Sequence, residues 1–363
     1  MKWSNQQDDA LKQVASWLKR GDTQVFRLFG YAGTGKTTLA RHLAEQQDGD
    51  VVFAAFTGKA AHVLRQKGCL GASTLHSLIY RPRGGDEEGP SFALNPESNA
   101  ANAALIVIDE CSMVDEELGK DLLSFGCPVL VLGDPAQLPP VSGGGYFTEH
   151  QPDVMLTDVH RQAADNPIIR LSMIVRDGGE LNFGDYGQSR IITRRQIDAE
   201  TILAADQVLV GRNKTRTLYN HRIRELKGFR GPTPSSGDKL VCLRNDKTKG
   251  LLNGGLWSVK RLRSPKSGLT RLDVTPEDDM TGRTVTVSVH PALFTDEAAT
   301  LSPSIKRRAD AFDYGYAMTV HKSQGSQWPM VVLFDESWAF KEHQQRWLYT
   351  GLTRAAERLI LVR

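Results

Sequence analysis

Several kinds of segment are missing from this sequence of 363 residues. No apolar run approaches the roughly 20 residues that a helix needs to span a bilayer, which argues against a membrane protein. The first residues, MKWSNQQDDALKQV, have no apolar stretch behind the early lysine, so we read no secretion signal. The four cysteines form no C-x-x-C pair, which argues against a zinc site and a disulfide framework. We therefore expect a cytoplasmic protein whose thiols are reduced and buried, namely Cys69, Cys111, Cys127 and Cys242.

The net charge is small, +3, but it is unevenly divided along the chain. Residues 1–163 carry 14 Lys and Arg against 20 Asp and Glu, a charge of −6, and residues 164–363 carry 31 against 22, a charge of +9. Residues 190–231 hold ten basic and four acidic side chains. This density favours a polyanion-binding surface if the side chains share one face, although solvated surface arginines are the alternative.

Short apolar runs alternate with helical segments in the first half, which is typical of a parallel sheet flanked by helices. Each run is followed by a polar or glycine-rich cluster: GYAGTGKTT, TGKAA, DECSMVD and GDPAQLPP. Ligands of open α/β sheets bind beyond the carboxyl ends of the strands, so we expect the four clusters to converge. The predicted strands are residues 25–29, 51–56, 105–108 and 129–132.

Two stretches interrupt this alternation. Residues 81–103 are rich in Gly, Pro, Asn and Glu and predict an inserted loop or hairpin. Residues 237–305 contain short β-branched runs separated by Gly, Pro and Asp, the pattern of a small antiparallel barrel. A second α/β domain is indicated by predicted strands at residues 207–210, 316–320, 330–334 and 359–362.

The cluster GYAGTGKT matches G-x-x-x-x-G-K-[ST] in full, with a predicted strand before it and a helix at residues 37–46 after it. Glycines let backbone N–H groups surround phosphate oxygens, the lysine reaches the β- and γ-phosphates, and the threonine offers a hydroxyl to Mg²⁺. A chance glycine-rich turn is the alternative. The predicted nucleotide-binding residues here are Gly30, Gly33, Thr34, Gly35, Lys36, Thr37 and Thr38.

The run LIVIDE ends a predicted buried strand with Asp109 and Glu110. Two adjacent carboxylates are costly to bury without a cation, and Mg²⁺ supplies one. We expect Asp109 to hold Mg²⁺ together with Thr37, and Glu110 to orient and deprotonate the attacking water. A solvated strand end is the alternative.

One nucleotide base can be argued against from the sequence. Guanine recognition uses N-K-x-D, but Asn213, Lys214 and Thr215 are followed by Arg216, which does not support GTP. Gln7 either reads adenine or forms a helix capping box with Ser4, since Ser4-x-x-Gln7 has that spacing. Both interpretations stay open.

Seven motifs in order identify a resemblance that spans nearly the whole chain: GYAGTGKTT, FTGKAA with TLHSLIY, VIDECSMVD, GDPAQLPPV, LTDVHRQ, TVHKSQGSQW and YTGLTRAAERL. The chain resembles superfamily 1 helicases, in the RecD-like group that includes the alpha subunit of exodeoxyribonuclease V and Dda-like phage helicases. This resemblance implies an α/β fold of two RecA-like P-loop NTPase domains, with a hairpin insertion in the first and an SH3-like barrel insertion in the second. The implied first domain is residues 1–163 with the hairpin at 81–103, and the second is 164–236 and 306–363 with the barrel at 237–305.

The resemblance also implies catalytic roles. Gln137 would sense the γ-phosphate, and Arg161 and Arg354 would be arginine fingers that stabilise the charge developing during hydrolysis. A surface ion pair is the alternative for each arginine.

Small, polar and basic residues are implied as contacts to phosphate and sugar, which hold DNA without reading its sequence. Phe92 is the aromatic that could stack on a terminal base pair, as part of a wedge. For the histidines, a buried hydrogen-bonded ring is the alternative. The implied DNA contacts are Thr57, Gly58, Lys59, Thr74, His76, Phe92, Asn213, Thr319, His321, Lys322 and Ser323.

We thus expect an ATP-dependent DNA helicase that moves 5′ to 3′, uses Mg²⁺ and acts as a monomer on single-stranded and forked DNA, with replication or recombination proteins as candidate partners. Two alternatives stay open. One is a DNA-stimulated ATPase that remodels or loads other proteins, and the other is a related RNA helicase.

Overall fold

The computed structural model describes residues 3–86, 89–139, 145–158, 165–246, 248–277, 283–295 and 300–363. Its internal contacts divide the chain into two units. Unit 1 contains Met1–Glu180 and Gln345–Thr353, and unit 2 contains Leu181–Gln344 and Arg354–Arg363. The domain boundaries expected at residues 163/164, 236/237 and 305/306 stay predictions.

Unit 1 is built on a parallel sheet. Its strands are β1 (Val25–Gly30), β2 (Val51–Ala55), β3 (Ser73–Thr74), β4 (Tyr80–Asp86), β5 (Gly89–Leu94), β6 (Leu105–Asp109), β7 (Val129–Gly133) and β8 (Val154–Leu156). Six of them form one sheet in the order β3-β2-β6-β7-β1-β8, with every pairing parallel. Every residue of β7 is buried, as expected for a parallel strand covered on both faces.

The helices of unit 1 bury apolar stripes on this sheet. The first of them, Asn5–Arg20, buries Ala10, Val14 and Trp17 at helical spacing. It ends at Gly21, whose φ of 61° is the left-handed conformation that glycine adopts without strain. The described helices are α1 (Asn5–Arg20), α2 (Lys36–Glu45), α3 (Gly58–Gln66), α4 (Leu75–Ile79), α5 (Glu116–Leu123) and α6 (Pro167–Arg176).

The predicted insertion at residues 81–103 contains an antiparallel pair. Strand β4 pairs with β5 in the register Tyr80 with Leu94 and Pro82 with Phe92, and a 3₁₀ turn follows at Asn99–Asn102. The role of this hairpin as a wedge stays a prediction.

Unit 2 contains two sheets. Its strands are β9 (Gly184–Tyr186), β10 (Ser189–Ile192), β11 (Gln207–Val210), β12 (Lys239–Cys242), β13 (Leu256–Lys266), β14 (Leu269–Pro276), β15 (Val285–Val289), β16 (Phe312–Tyr314), β17 (Ala317–Thr319), β18 (Trp328–Phe334) and β19 (Ala355–Val362). One sheet has the order β17-β11-β18-β19-β10-β9 and is parallel except for β9. The other has the order β15-β14-β13-β12-β16 and is antiparallel. The predicted α/β class is confirmed, and the SH3-like form of the second sheet stays a prediction.

The described helices of unit 2 are α7 (Ala199–Ala204), α8 (Asn213–Leu226) and α9 (Pro303–Arg308). A further helix, α10 (Gln344–Leu352), follows β18 in the chain.

A buried ion pair helps to stabilise unit 2. The guanidinium of Arg224, on α8, donates to both carboxylate oxygens of Asp238 at 2.9 Å each. The hydroxyl of Tyr316 donates to the same carboxylate at 2.9 Å, so this charge is well satisfied where it is buried.

Within the described ranges, no helix has both the length and the apolar character that crossing a bilayer requires.

Candidate functional site

The phosphate-binding loop lies where the sequence predicts it, between β1 and α2. Gly33 and Gly35 have φ values of 80° and 82°, which other residues adopt only with strain. At Gly30 a Cβ would stand 2.7 Å from Thr34 Oγ1 and 2.8 Å from Leu156 Cβ, so this position has no room for a side chain. Both features keep the loop tight enough for its backbone to surround phosphate oxygens.

Hydrogen bonds fix the orientation of the loop's lysine and threonine side chains. Lys36 Nζ donates to the carbonyls of Gly30 at 2.6 Å and Tyr31 at 3.0 Å, so its ammonium lies over the loop. The Thr37 hydroxyl donates to Asp109 Oδ2 at 2.9 Å, although 72 residues separate them. A hydroxyl and a carboxylate oxygen in contact are the donors that Mg²⁺ prefers, and Thr38 follows in the first turn of α2.

Asp109 ends β6, and the residue after it has an unusual backbone. Asp109 Oδ1 accepts the Glu110 N–H at 2.8 Å. Glu110 has φ 54° and ψ 46°, a left-handed conformation that is uncommon for a non-glycine residue and concentrates at functional sites. The next residue, Cys111, is fully buried, and burial followed by the two neighbouring carboxylates raises the pKa of its thiol.

The cluster after β7 places a buried acceptor in the same unit. Gln137 is 8% exposed, and its Oε1 has no hydrogen-bond partner among the described residues. Buried acceptors are rarely left without a donor, which makes this oxygen a candidate ligand contact, and the role of Gln137 as a sensor of the γ-phosphate stays a prediction. The neighbouring Asp134 has its Oδ1 bound by the Ala136 N–H at 3.0 Å.

Two residues that sequence reasoning did not single out contact these clusters. The Tyr349 hydroxyl donates to Asp134 Oδ2 at 2.8 Å and accepts the Ala32 N–H of the phosphate loop at 2.9 Å. Thr350 Oγ1 accepts the Leu138 N–H at 2.9 Å. Both lie in the motif YTGLTRAAERL, whose aromatic and hydroxyl residues were the available signal.

Gln7 makes contacts with Ser4 and with the phosphate loop, which bear on its two predicted roles. Its N–H donates to Ser4 Oγ at 3.2 Å and its Oε1 accepts the Ser4 N–H at 3.1 Å, so the capping box is present. Its side-chain amide also donates to the Thr34 carbonyl at 2.9 Å. Gln7 therefore supports the phosphate loop from α1, and its role in reading adenine stays a prediction.

The predicted DNA contacts of unit 1 lie at helix starts. Thr57 caps α3 by accepting the Ala60 N–H at 3.1 Å, and Thr74 caps α4 by accepting the Ser77 N–H at 3.1 Å. Both hydroxyl oxygens thus accept a capping hydrogen bond, and the predicted DNA contacts of these residues stay predictions. Gly58 is buried, and Lys59 is half-buried beside it in the first turn of α3.

The structure brings His76 and Phe92 together. Their ring centroids are 4.7 Å apart in an edge-to-face arrangement, and His76 also packs on Tyr80 at 4.6 Å. Phe92 is 46% exposed, so the predicted stacking residue lies at the surface.

The residues of unit 2 that are predicted to contact DNA lie at or just after the carboxyl ends of β11 and β17. Asn213 is exposed at the start of α8, and Thr319 Oγ1 accepts the Lys322 N–H at 3.4 Å. Burial, and then His343, lower the pKa of the half-buried His321, which favours a neutral ring at pH 7. The Ser323 hydroxyl is fully buried and donates to the Val320 carbonyl at 2.7 Å, and the predicted DNA contact of this residue stays a prediction.

Only one of the two predicted arginine fingers lies among the residues that the structure describes. Arg354 is 3% exposed in unit 2, where its Nη1 donates to the Ser326 carbonyl at 3.2 Å. Arg161 lies outside the described residues. Both assignments stay predictions.

Two family models match the chain. The model described as an AAA domain matches residues 2–196, more than half of the sequence. The model described as a UvrD-like helicase C-terminal domain matches residues 314–362.

Curated relatives and solved structures agree with these matches. The chain is 29% identical to the ATP-dependent RecD2 DNA helicase of Deinococcus radiodurans, over 98% of this chain and 48% of that protein. It is 33% identical to the ATP-dependent DNA helicase dda of Enterobacteria phage T4, over 41% of this chain and 37% of that protein. The chain therefore spans less than half the length of these curated relatives.

Among solved structures, a Bacteroides Pif1 helicase bound to ADP-AlF3 and single-stranded DNA has a TM-score of 0.59 at 18% identity, covering 99% of this chain and 92% of that one. A Pif1 helicase studied at forked duplex DNA has a TM-score of 0.63 at 19% identity, with the same coverage. These two likenesses concern the fold. The match of the first family model over more than half of the sequence shows that the chain belongs to the AAA domain family, and the two curated relatives support its resemblance to superfamily 1B helicases of the RecD-like and Dda-like group.

Proposed function

We propose that this chain is an ATP-dependent DNA helicase that moves 5′ to 3′ along single-stranded DNA and separates duplex DNA. The observation that carries the ATP-dependent part of the proposal is the contact between the Thr37 hydroxyl and the Asp109 carboxylate at 2.9 Å, beside the Lys36 ammonium in the phosphate loop. A loop of this kind serves nucleoside triphosphates, and a carboxylate in contact with its threonine serves the metal that accompanies them.

ATP would bind with its phosphates in the loop from Gly30 to Thr37. The Lys36 ammonium would exchange its two carbonyl acceptors for oxygens of the β- and γ-phosphates. Thr37 and Asp109 would hold Mg²⁺, which when bound neutralises charge on the phosphate oxygens.

The domain boundaries, the monomeric state and the candidate partners belong to this proposal.

Glu110 and Gln137 would activate and orient the attacking water. Glu110 follows the metal-binding strand and would accept the water's proton. The buried Oε1 of Gln137 would accept a hydrogen bond from the same water and orient it toward the γ-phosphate.

The DNA part of the proposal is supported by two relatives and two fold neighbours. The RecD2 and dda relatives are named ATP-dependent DNA helicases, and the Pif1 neighbours were solved with single-stranded DNA or studied at forks. The direction of movement follows from the resemblance to the RecD-like group.

ATP turnover with and without single-stranded DNA tests the motor. We expect stimulation by DNA, and loss of turnover in Lys36→Ala and Glu110→Gln because these remove charge stabilisation and water activation. Glu117→Gln changes an exposed carboxylate on α5 and should keep wild-type turnover. Turnover that does not depend on DNA would contradict the motor.

Forked duplexes that carry only a 5′ tail or only a 3′ tail test polarity, with an RNA fork alongside. We expect unwinding from the 5′ tail of DNA. Unwinding from the 3′ tail alone would reverse the polarity, and preference for the RNA fork would favour an RNA helicase. DNA-stimulated turnover without unwinding would favour a remodelling ATPase.

A further inference from the structure

Unit 2 displays an exposed tryptophan beside an anchored arginine, at the edge where its parallel strands end. We propose that Trp338 is a stacking platform for one base of single-stranded DNA and that Arg212, packed on its ring, contacts the neighbouring phosphate. This inference rests on the proposed function, because it names a binding position for the same DNA strand.

Trp338 is 59% exposed, which is unusual for so large an apolar side chain. Four of the other tryptophans are at most 8% exposed, and Trp3 is half-buried: the buried set is Trp17, Trp257, Trp328 and Trp347. The ring of Trp338 is thus available to a partner from solution.

The position of Trp338 follows from strand order. The strands β17, β11 and β18 are parallel neighbours, so their carboxyl ends share one edge of the sheet. Arg212 lies two residues after β11, and Trp338 lies in the 3₁₀ segment Ser337–His343 that follows β18. The ring of Phe340 in this segment packs on His321, after β17, with centroids 5.1 Å apart. Trp338 and Arg212 therefore lie at the same edge of the sheet as the residues predicted to contact DNA.

Arg212 is held in place by a buried carboxylate. Glu336 is 2% exposed, and its oxygens accept the Arg212 Nε–H at 3.0 Å, the Arg212 N–H at 3.0 Å and the Gly211 N–H at 2.8 Å. The Thr215 hydroxyl donates to it as well, at 2.6 Å. The guanidinium then lies 4.9 Å from the centre of the Trp338 ring, a cation–π distance, while its side chain keeps 48% exposure. Ring and cation are thus both oriented and both accessible.

The same segment has a strained backbone. Lys341 has φ 42° and ψ −113°, outside the regions that non-glycine residues adopt. Strain of this kind persists only where the surroundings enforce it, and it concentrates at ligand-binding sites.

A base of single-stranded DNA fits these groups. Every base has a π-face that can stack on an indole, and an exposed guanidinium beside it matches a phosphate oxygen. Such a contact tolerates any sequence, as a moving motor requires. Loss of one stacked base should weaken binding by about 5- to 150-fold.

The test compares Trp338→Ala, Trp338→Phe and Phe183→Ala in two measurements. Phe183 is a matched control, because it is an aromatic of unit 2 with 60% exposure. The first measurement is the Kd for a labelled dT oligonucleotide by fluorescence anisotropy. The second is quenching of tryptophan emission by the unlabelled oligonucleotide, with circular dichroism as a folding check.

We expect wild-type emission to be quenched on binding, since stacked indoles lose fluorescence. Trp338→Phe should lose this quenching and keep its Kd within a few-fold, because phenylalanine can still stack. Trp338→Ala should bind about 5- to 150-fold more weakly, and Phe183→Ala should match wild type.

Three results would overturn the platform while leaving the proposed function intact: unchanged affinity in Trp338→Ala, equal losses in Trp338→Ala and Phe183→Ala, or full quenching in Trp338→Phe. Unchanged affinity together with lost self-association on sedimentation would assign the ring to a contact between copies of this chain. A wild-type protein that binds no oligonucleotide would instead overturn the proposed function, and the platform with it.

Discussion

Replacing Tyr349 by phenylalanine removes one oxygen atom from the nucleotide site and keeps the ring. That oxygen makes two hydrogen bonds, a buried one to Asp134 Oδ2 at 2.8 Å and a partly buried one from the Ala32 N–H at 2.9 Å. Tyr349 is 1% exposed and Asp134 is 4% exposed, so solvent does not easily replace the hydrogen bond between them. The variant therefore leaves a phosphate-loop amide and a carboxylate oxygen each without this partner.

The expected cost follows from these two groups. A buried donor or acceptor that loses its partner costs about 1–3 kcal/mol. We expect the stability of Tyr349→Phe to fall by about that amount. If about 1–2 kcal/mol of this energy positions the loop for ATP, kcat/KM for ATP should fall about 5- to 30-fold, at about 1.4 kcal/mol per tenfold.

Thermal melting and DNA-stimulated ATP turnover measure the two effects, and Tyr314→Phe is the matched control. Tyr314 is also 1% exposed, and its hydroxyl donates to the Pro232 carbonyl at 2.7 Å in unit 2. Both variants should melt earlier than wild type. Only Tyr349→Phe should lose kcat/KM for ATP, because only its hydroxyl bonds to the phosphate loop.

A kcat/KM for Tyr349→Phe that equals or exceeds the wild-type value would refute this reasoning. Equal losses of turnover in both variants would refute it too, since they would trace the effect to general destabilisation.

Other changes have outcomes that follow from single contacts. Gly30→Ala should abolish binding of a fluorescent ATP analogue in equilibrium titrations, because the added Cβ would stand 2.7 Å from Thr34 Oγ1; near-normal affinity would contradict the tight loop. Arg224→Met should cost about 3–5 kcal/mol in urea unfolding because it leaves the Asp238 carboxylate buried without its cation; a loss below 1 kcal/mol would contradict that estimate. Burial raises the pKa of Glu336, but its hydrogen bonds outweigh burial and hold that pKa below the usual value. Its stabilisation should be present above about pH 4.3 and be lost as the pH falls toward the lowered folded value; Glu336→Gln should flatten that part of a melting-temperature profile, and an unchanged profile would contradict the linkage.

The predictable part of the nucleotide site depends on parallel strands. Buried parallel strands read as continuous apolar runs, so the polar clusters after them are visible in the sequence and must fall at one edge of the sheet. This is why Lys36, Thr37 and Asp109 could be named together, and why the structure has the Thr37 and Asp109 side chains in contact. The α/β class follows from the same periodicity.

Residues that act through distant contacts were not predictable in this way. Tyr349 and Ala32 are 317 positions apart, and no local pattern pairs a helical tyrosine with a loop amide. The caps at Thr57 and Thr74 are different, because a threonine at the start of an amphipathic run signals an N-cap. Capping explains the contacts that these hydroxyls make within the fold, and their predicted DNA contacts stay predictions.

The order of residues along the chain connects the two features that sequence reasoning missed. The segment Gln345–Thr353 belongs to unit 1 by its contacts, although the residues on both sides of it belong to unit 2. It contains Tyr349, whose hydroxyl bonds to the phosphate loop, and it begins seven residues after Trp338. On either side lie β18 and β19, which are paired neighbours in the sheet of unit 2. The covalent backbone therefore joins the Tyr349 helix at both of its ends to segments that lead into paired strands of unit 2.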